Sequence, residues 1–265
     1  MDGHPAMHLF HRDYGHGPRK AIALHCSLSH SGSWKRVATC LEDQLTIRAF
    51  DLPSHGKSPD WDGAGDLTWS IVEAVIPYLT EPVDLIGHSL GALVSLHLAL
   101  ERPEMVRSLS LFEPVLMSIA DEDDKTEAAW NHALMDEVAA AVAQGDPETA
   151  ARTFMRVWGD GRKWADLPQE LREGSTQRIE FIGTGHPRIG WDLRQINSRL
   201  GQINVPAVLM DGLASPRMIQ IVQDGIAARI PGARRVTIEG AGHMGPITHA
   251  AEVAREIAVT LAEVG

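Results

Sequence analysis

The sequence predicts an α/β protein: a mostly parallel central sheet wrapped by helices, with a helical insertion. Three observations carry this expectation. Short apolar strands alternate with helical stretches from Lys20 to Phe112, and parallel strands need such crossovers to return the chain to the same edge. The alternation stops over residues 115–204, where only helical patterns occur, and resumes at Val205. Finally, Val83-Asp84-Leu85-Ile86 reads as a buried strand that runs through Gly87-His88-Ser89-Leu90-Gly91 into an apolar helix stopping before Pro103. The length of 265 residues suits one large domain or a core with a lid. The reading is a core of residues 1–114 and 205–265 with a helical cap of residues 115–204.

Taken in order, Met7 to Arg12 is a candidate first strand, and Gly15-His16-Gly17-Pro18 a turn. Lys20 to Leu24 is a short apolar strand leading into His25-Cys26-Ser27-Leu28. Trp34, Val37 and Leu41 recur at helical spacing, and Leu45 to Phe50 is the next strand. Asp66 can cap a helix whose Leu67, Ile71, Val72, Val75 and Leu79 share a face, and Pro77 bends or ends it. Val106 to Phe112 is a strand ending at Glu113-Pro114.

In the insertion, Asp121 to Asp124 is an acidic helix start, Leu134, Val138 and Val142 form one face, and Asp146 caps a helix reaching Trp158. Four of the seven tryptophans (Trp130, Trp158, Trp164, Trp191) fall here. At least two should be packing residues, and any that face the Ser89 turn can line an apolar pocket. Pro206 to Met210 is a strand ending at Asp211-Gly212, and Ser215-Pro216 starts a helix. Arg234 to Ile238 is the last strand, and Val253, Ile257, Leu261 and Val264 mark the closing helix.

Composition excludes several classes of function. The net charge of −11 disfavours nucleic acid, whose phosphates want a basic face. No stretch approaches a membrane span, and the first ten residues show no basic-then-apolar leader pattern. Cys26 and Cys40 form no C-x-x-C, so the simpler expectation is a reducing, cytoplasmic setting. None of the thirteen histidines has a zinc spacing such as H-E-x-x-H, and no metal or organic cofactor is implied.

A G-x-S-x-G at a strand-to-helix turn is a nucleophile elbow. So tight a turn strains the backbone at Ser89, pushes its hydroxyl into the open, and requires very small residues two before and two after it. Gly87 and Gly91 meet that need. A serine hydroxyl needs a base to take its proton, and an imidazole titrating near neutrality suits the task. His243 follows the last strand after Gly240-Ala241-Gly242.

With these motifs in place, the chain resembles the α/β-hydrolase fold family along nearly its whole length, with a helical cap between the family's sixth and seventh strands. The resemblance implies a serine hydrolase in the chain order Ser, acid, His. Ser89 stands as nucleophile and His243 as base; His249 is expected inside the next helix, and His88 to pack beside the elbow. The oxyanion is implied to be held by the amides of Leu90 and Ser27. Cys26 replaces the family's glycine in that loop. Either the loop needs no positive φ there, or the second donor shifts to Leu28. Cys26 as a nucleophile lacks an evident base.

The family's usual acid slot, in Gly212-Leu213-Ala214-Ser215, holds no carboxylate. Glu113, ending the preceding strand, is the first choice of acid, with Pro114 favouring an extended backbone at Glu113. Asp211 is the alternative, its other reading being a carboxylate that caps loop backbone. The implied substrate is a small carboxylic ester, lactone or related acyl compound, with water completing hydrolysis of an acyl-enzyme. A carbon–carbon bond hydrolase, a thioesterase or an acyltransferase fits the same fold, and a non-catalytic ligand-binding receptor is the alternative of another class.

Overall fold

The structure, a computed structural model, describes residues 7–185, 192 and 194–264. Seven strands form one sheet: β1 (His11–Tyr14), β2 (Arg19–Leu24), β3 (Leu45–Phe50), β4 (Val83–His88), β5 (Val106–Phe112), β6 (Ala207–Gly212) and β7 (Arg234–Ile238). Their order across the sheet is β1-β3-β2-β4-β5-β6-β7. β1 pairs antiparallel with β3, and the other pairs are parallel. The first strand therefore starts at His11, later than the sequence pattern suggests. Phe10 is occupied elsewhere: its N–H donates to Ser58 Oγ at 2.9 Å and its carbonyl accepts from Asp51 N–H at 2.8 Å.

Alternation along the strands divides the core into two. Ala21 and Ala23 of β2 face α1 (Lys35–Cys40) and the closing helix α10 (Ala250–Ala262), which bring Trp34, Val37, Leu41, Val253, Ile257 and Leu261. Ile22 and Leu24 face the other side, covered by α2 (Leu67–Val75), α3 (Leu90–Glu101) and α8 (Arg217–Arg229). Asp66 caps α2 by accepting from Trp69 N–H, and the chain tightens into a short 3-10 turn at Ile76–Tyr78, which contains Pro77. The central helix α3 is buried from Leu90 to Leu100, so it is covered all round rather than along one stripe, with Ser95 and His97 its buried polar residues.

Between β5 and β6 the chain forms α4 (Ser118–Asp123), α5 (Lys125–Ala143), α6 (Pro147–Trp158) and α7 (Gln169–Gly185). Asp124 caps α5 and Asp146 caps α6 through their carboxylates. α5, α6 and α7 pack on one another, while α4 packs on α8. The sequence runs from β2 out to β3 and back to β4 on the far side of β2. That reversal opens a crevice at the carboxyl ends of the strands, where open α/β sheets hold their ligands.

Candidate active site

β4 ends at His88, and α3 begins at Leu90, so Ser89 alone makes the turn. Its φ of 55° and ψ of −115° lie where side-chain-bearing residues are strained. Its N–H is held by the Phe112 carbonyl of the neighbouring strand at 2.9 Å. The two glycines are explained by close approach: a Cβ on Gly91 would sit 2.1 Å from the Leu24 carbonyl oxygen, and one on Gly87 2.5 Å from Ala92 Cα.

His243 follows β7, with Gly240 in the left-handed region at the start of the turn. Its Nε2 lies 3.1 Å from Ser89 Oγ and its Nδ1 2.6 Å from Glu113 Oε2. The imidazole sits between two rings, His88 at 5.1 Å and the edge-on indole of Trp158 at 5.0 Å. His88 does more than pack beside the elbow. Its Nε2–H donates to the His243 carbonyl at 2.8 Å. Burial, followed by the nearby His243, holds the His88 ring well below the ordinary imidazole range, so it is a neutral brace. His249 lies between the short helix α9 (Gly245–Thr248) and α10 instead of inside a helix, its Nδ1 2.9 Å from Thr248 Oγ1.

Glu113 is fully buried, and each of its oxygens is used. Oε1 accepts from Gly212 N–H at 2.8 Å and from Ser215 Oγ–H at 2.6 Å, leaving Oε2 for His243. The serine in the family's usual acid slot thus holds the glutamate that reaches over from β5. The backbone expectation for Glu113 is overturned: its φ is +48°, left-handed and not extended. A hydrogen bond from its N–H to the Met210 carbonyl at 2.9 Å pins this turn and outweighs the preference imposed by Pro114. Asp211 lies elsewhere. Its carboxylate accepts from Arg235 Nη1 and Nη2 at 2.8 and 3.0 Å, so its partner is a guanidinium and not loop backbone.

The loop after β2 runs beside the elbow. Leu28 carries the positive φ of 63°, and Cys26 has none. The Leu28 N–H donates to His55 Nε2 at 2.9 Å, so it is unavailable as an oxyanion donor. Neither Ser27 N–H nor Leu90 N–H has an acceptor among the described residues. Two neutral histidines brace this loop. His25 Nδ1–H donates to the Cys26 carbonyl while Nε2 accepts from Leu52 N–H; His55 Nδ1–H donates to the Pro53 carbonyl. Burial pushes His25 down to about 3 and His55 down to about 4. Burial likewise pushes the Cys26 thiol up to about 12, which removes thiolate character.

Two cavities meet at Ser89. The smaller, about 40 Å³, is walled by apolar side chains including Val115, Met117, Met135, Phe154, Trp158 and Ile182, together with Asn131. The larger, about 330 Å³, passes Ser27, His30, Asp160, Arg162 and Met244. Of the insertion's tryptophans, Trp158 is buried at the site, Trp164 is half-buried and Trp130 is 41% exposed. Trp191 lies outside the described residues. Sequence reasoning missed the His25–His55 brace, the Ser215–Glu113 bond and Asn131. Only Asn131 left a local signal, a polar residue on the inward stripe Ala128, Asn131, Leu134, Met135, Val138 of α5. Among the described residues no group of three or more His, Cys, Asp or Glu is placed to hold a metal ion, and no helix is long and apolar enough to cross a membrane.

A mostly parallel sheet with a serine elbow and a histidine past the last strand defines a class. Residues 21–256 match the model of the alpha/beta hydrolase family, and the chain belongs to that family. Its relatives are more particular. It is 27% identical over 263 residues to the pimeloyl-[acyl-carrier protein] methyl ester esterase of Chromobacterium violaceum, covering 95% of this chain and 97% of that one. The enzyme of the same name from Neisseria meningitidis serogroup B is 30% identical over 214 residues, covering 77% and 78% of the two chains. Among solved structures, MenH from S. aureus shares the fold with a TM-score of 0.73 at 18% identity, covering 96% of this chain and 98% of that one. The enol-lactonase from Burkholderia xenovorans shares it with a TM-score of 0.71 at 17% identity and 96% of both chains.

Proposed function

We propose that the chain is a serine carboxylic ester hydrolase that cleaves a small ester or lactone through an acyl-enzyme. The observation that carries this reading is the unbroken line of hydrogen bonds from Ser89 Oγ through His243 to the Glu113 carboxylate. Ser89 attacks the acyl carbon while His243 Nε2 takes its proton and returns it to the departing alcohol. Glu113 holds the proton on Nδ1 and offsets the positive charge that forms on the ring. The free amides of Ser27 and Leu90 receive the oxyanion, and water then attacks the acyl-enzyme along the same path in reverse.

The relatives named as methyl ester esterases support an ester over a carbon–carbon bond. The intact hydrogen-bonded line argues against a receptor that kept only the fold. In this reading residues 115–204 act as a cap over a core of residues 1–114 and 205–265, and two free cysteines suit a reducing cytoplasm. The test is a panel of carboxylic esters, lactones, acyl thioesters and β-diketones with purified protein. Turnover of esters or lactones well above the other classes is expected. Turnover confined to diketones or thioesters, or turnover equal in Ser89→Ala, would overturn the reading.

A further inference from the structure

We infer that the acyl group carried by Ser89 bears a neutral hydroxyl, and that Asn131 binds it in the smaller cavity. This rests on the hydrolase reading above and names the substrate class within it. Asn131 is 2% exposed, projects from the inward stripe of α5, and lines the cavity of about 40 Å³ that Ser89 and His243 also line. Its Oδ1 is buried with no hydrogen-bond partner among the described residues. The same holds for the Nε1–H of Trp158, on the wall of the same cavity. A buried polar atom without a partner is destabilising and calls for an explanation, most simply a group that arrives with the ligand.

The chemistry of the two orphans selects that group. One is an acceptor and the other a donor. A hydroxyl donates and accepts, so it can answer both, whereas a keto or ester oxygen only accepts. An acyl carboxylate is disfavoured. Apart from Ser27, Ser89 and His243 at its mouth, the remaining walls are apolar and hold no lysine or arginine, and an unpaired buried anion is costly. The smaller cavity suits the acyl side because that group stays bound between the two chemical steps. The leaving alcohol takes the larger cavity, whose wall includes His30, Asp160 and Arg162.

The experiment compares methyl pentanoate with its congeners hydroxylated at the second, third or fourth carbon. It measures kcat/KM for wild type and Asn131→Leu, and binding of the same esters to Ser89→Ala and to Ser89→Ala/Asn131→Leu by tryptophan fluorescence. One hydroxy congener is expected to exceed the plain ester by about tenfold in wild type, and that ratio should fall to about one with leucine at position 131. Asn131→Leu should melt at or above wild type, because it removes an unpaired polar group. If esters are cleaved with no hydroxyl preference, or the preference survives in Asn131→Leu, the inference fails while the hydrolase reading stands. If no ester is cleaved yet Ser89→Ala binds a hydroxy ester more tightly through Asn131, the hydrolase reading fails and the site stands. A lower melting temperature in Asn131→Leu would make Asn131 a structural residue and overturn the inference.

Discussion

Glu113→Gln should disable the site through a tautomer and not through a collapse. The wild-type carboxylate accepts three hydrogen bonds, from Gly212 N–H, Ser215 Oγ–H and His243 Nδ1–H. Glutamine has one acceptor oxygen and one NH2. The backbone amide of Gly212 can only donate, so the glutamine oxygen must turn toward Gly212 and Ser215. Its NH2 then faces His243 Nδ1 and can meet it only if that nitrogen is unprotonated. The ring proton moves to Nε2, which can no longer accept from Ser89 Oγ. Such a wrong tautomer costs about four orders of magnitude in kcat, or about 5 kcal/mol of barrier.

KM should change little, since Glu113 lines neither cavity at Ser89. The assay is hydrolysis of a p-nitrophenyl ester, with circular dichroism and melting temperature as controls for folding. Asp211→Asn is the matched comparison. It weakens the pair with Arg235 and should lower the melting temperature while leaving kcat within about tenfold of wild type. A Glu113→Gln enzyme within about tenfold of wild type, or an Asp211→Asn enzyme that loses more, would refute the reasoning.

Three further outcomes are expected. Ser89→Ala should keep the fold and lose labelling by a fluorophosphonate; label that persists would move the nucleophile elsewhere. Cys26→Ser and Cys26→Gly should both retain substantial ester turnover, because the proposed oxyanion donor of this loop is the Ser27 backbone and the thiol is held neutral; a dead Cys26→Ser protein that still folds would revive the thiol. For pH, His25 and His55 are depressed to about 3 and about 4 in the folded chain against 6.5, so the unfolded chain gains protons first as pH falls. Stability is therefore full above about 6.5 and declines through that window, His55 alone accounting for about 3 kcal/mol. Urea unfolding at about pH 7 and about pH 4.5 checks this, with a smaller difference expected in His55→Gln and a flat wild-type profile counting against the brace.

Much of the fold was legible because its signals are local. Leu90–Glu101, Val106–Phe112 and Arg234–Ile238 could be read to their ends from apolar runs bounded by glycine, proline or charge. The caps Asp66 and Asp146 were visible for the same reason. Ser89 and His243 belong to this group, since their turn glycines stand beside them in the chain. What was not legible depends on pairing across long separations. Ser215 and Glu113 are 102 residues apart, and Leu28 meets His55 across 27, so neither bond leaves a mark on its own neighbourhood. The backbone at Glu113 was misjudged for the same reason: a local proline preference competed with a hydrogen bond supplied by β6.

The two strained residues of the site are held by one device. Ser89 and Glu113 each leave the carboxyl end of a strand with positive φ, at 55° and 48°, a conformation that costs on the order of 1–3 kcal/mol for a side-chain-bearing residue. Neither is steadied by its own strand. Ser89 N–H is held by the Phe112 carbonyl at the end of β5, and Glu113 N–H by the Met210 carbonyl of β6, each at 2.9 Å. Gly212 N–H at the end of β6 then returns a bond to the Glu113 carboxylate at 2.8 Å. Each strand end thus clamps the turn of the strand before it. Ser89 and Glu113 are positioned by the parallel register of β4, β5 and β6, which pairs His88 with Phe112 and Phe112 with Met210. A carboxylate leaving β5 can therefore serve as well as one leaving β6, provided the vacated slot keeps a donor to hold it. Ser215 is that donor, which is why Ser215→Ala should weaken turnover by up to about tenfold without approaching the loss in Glu113→Gln.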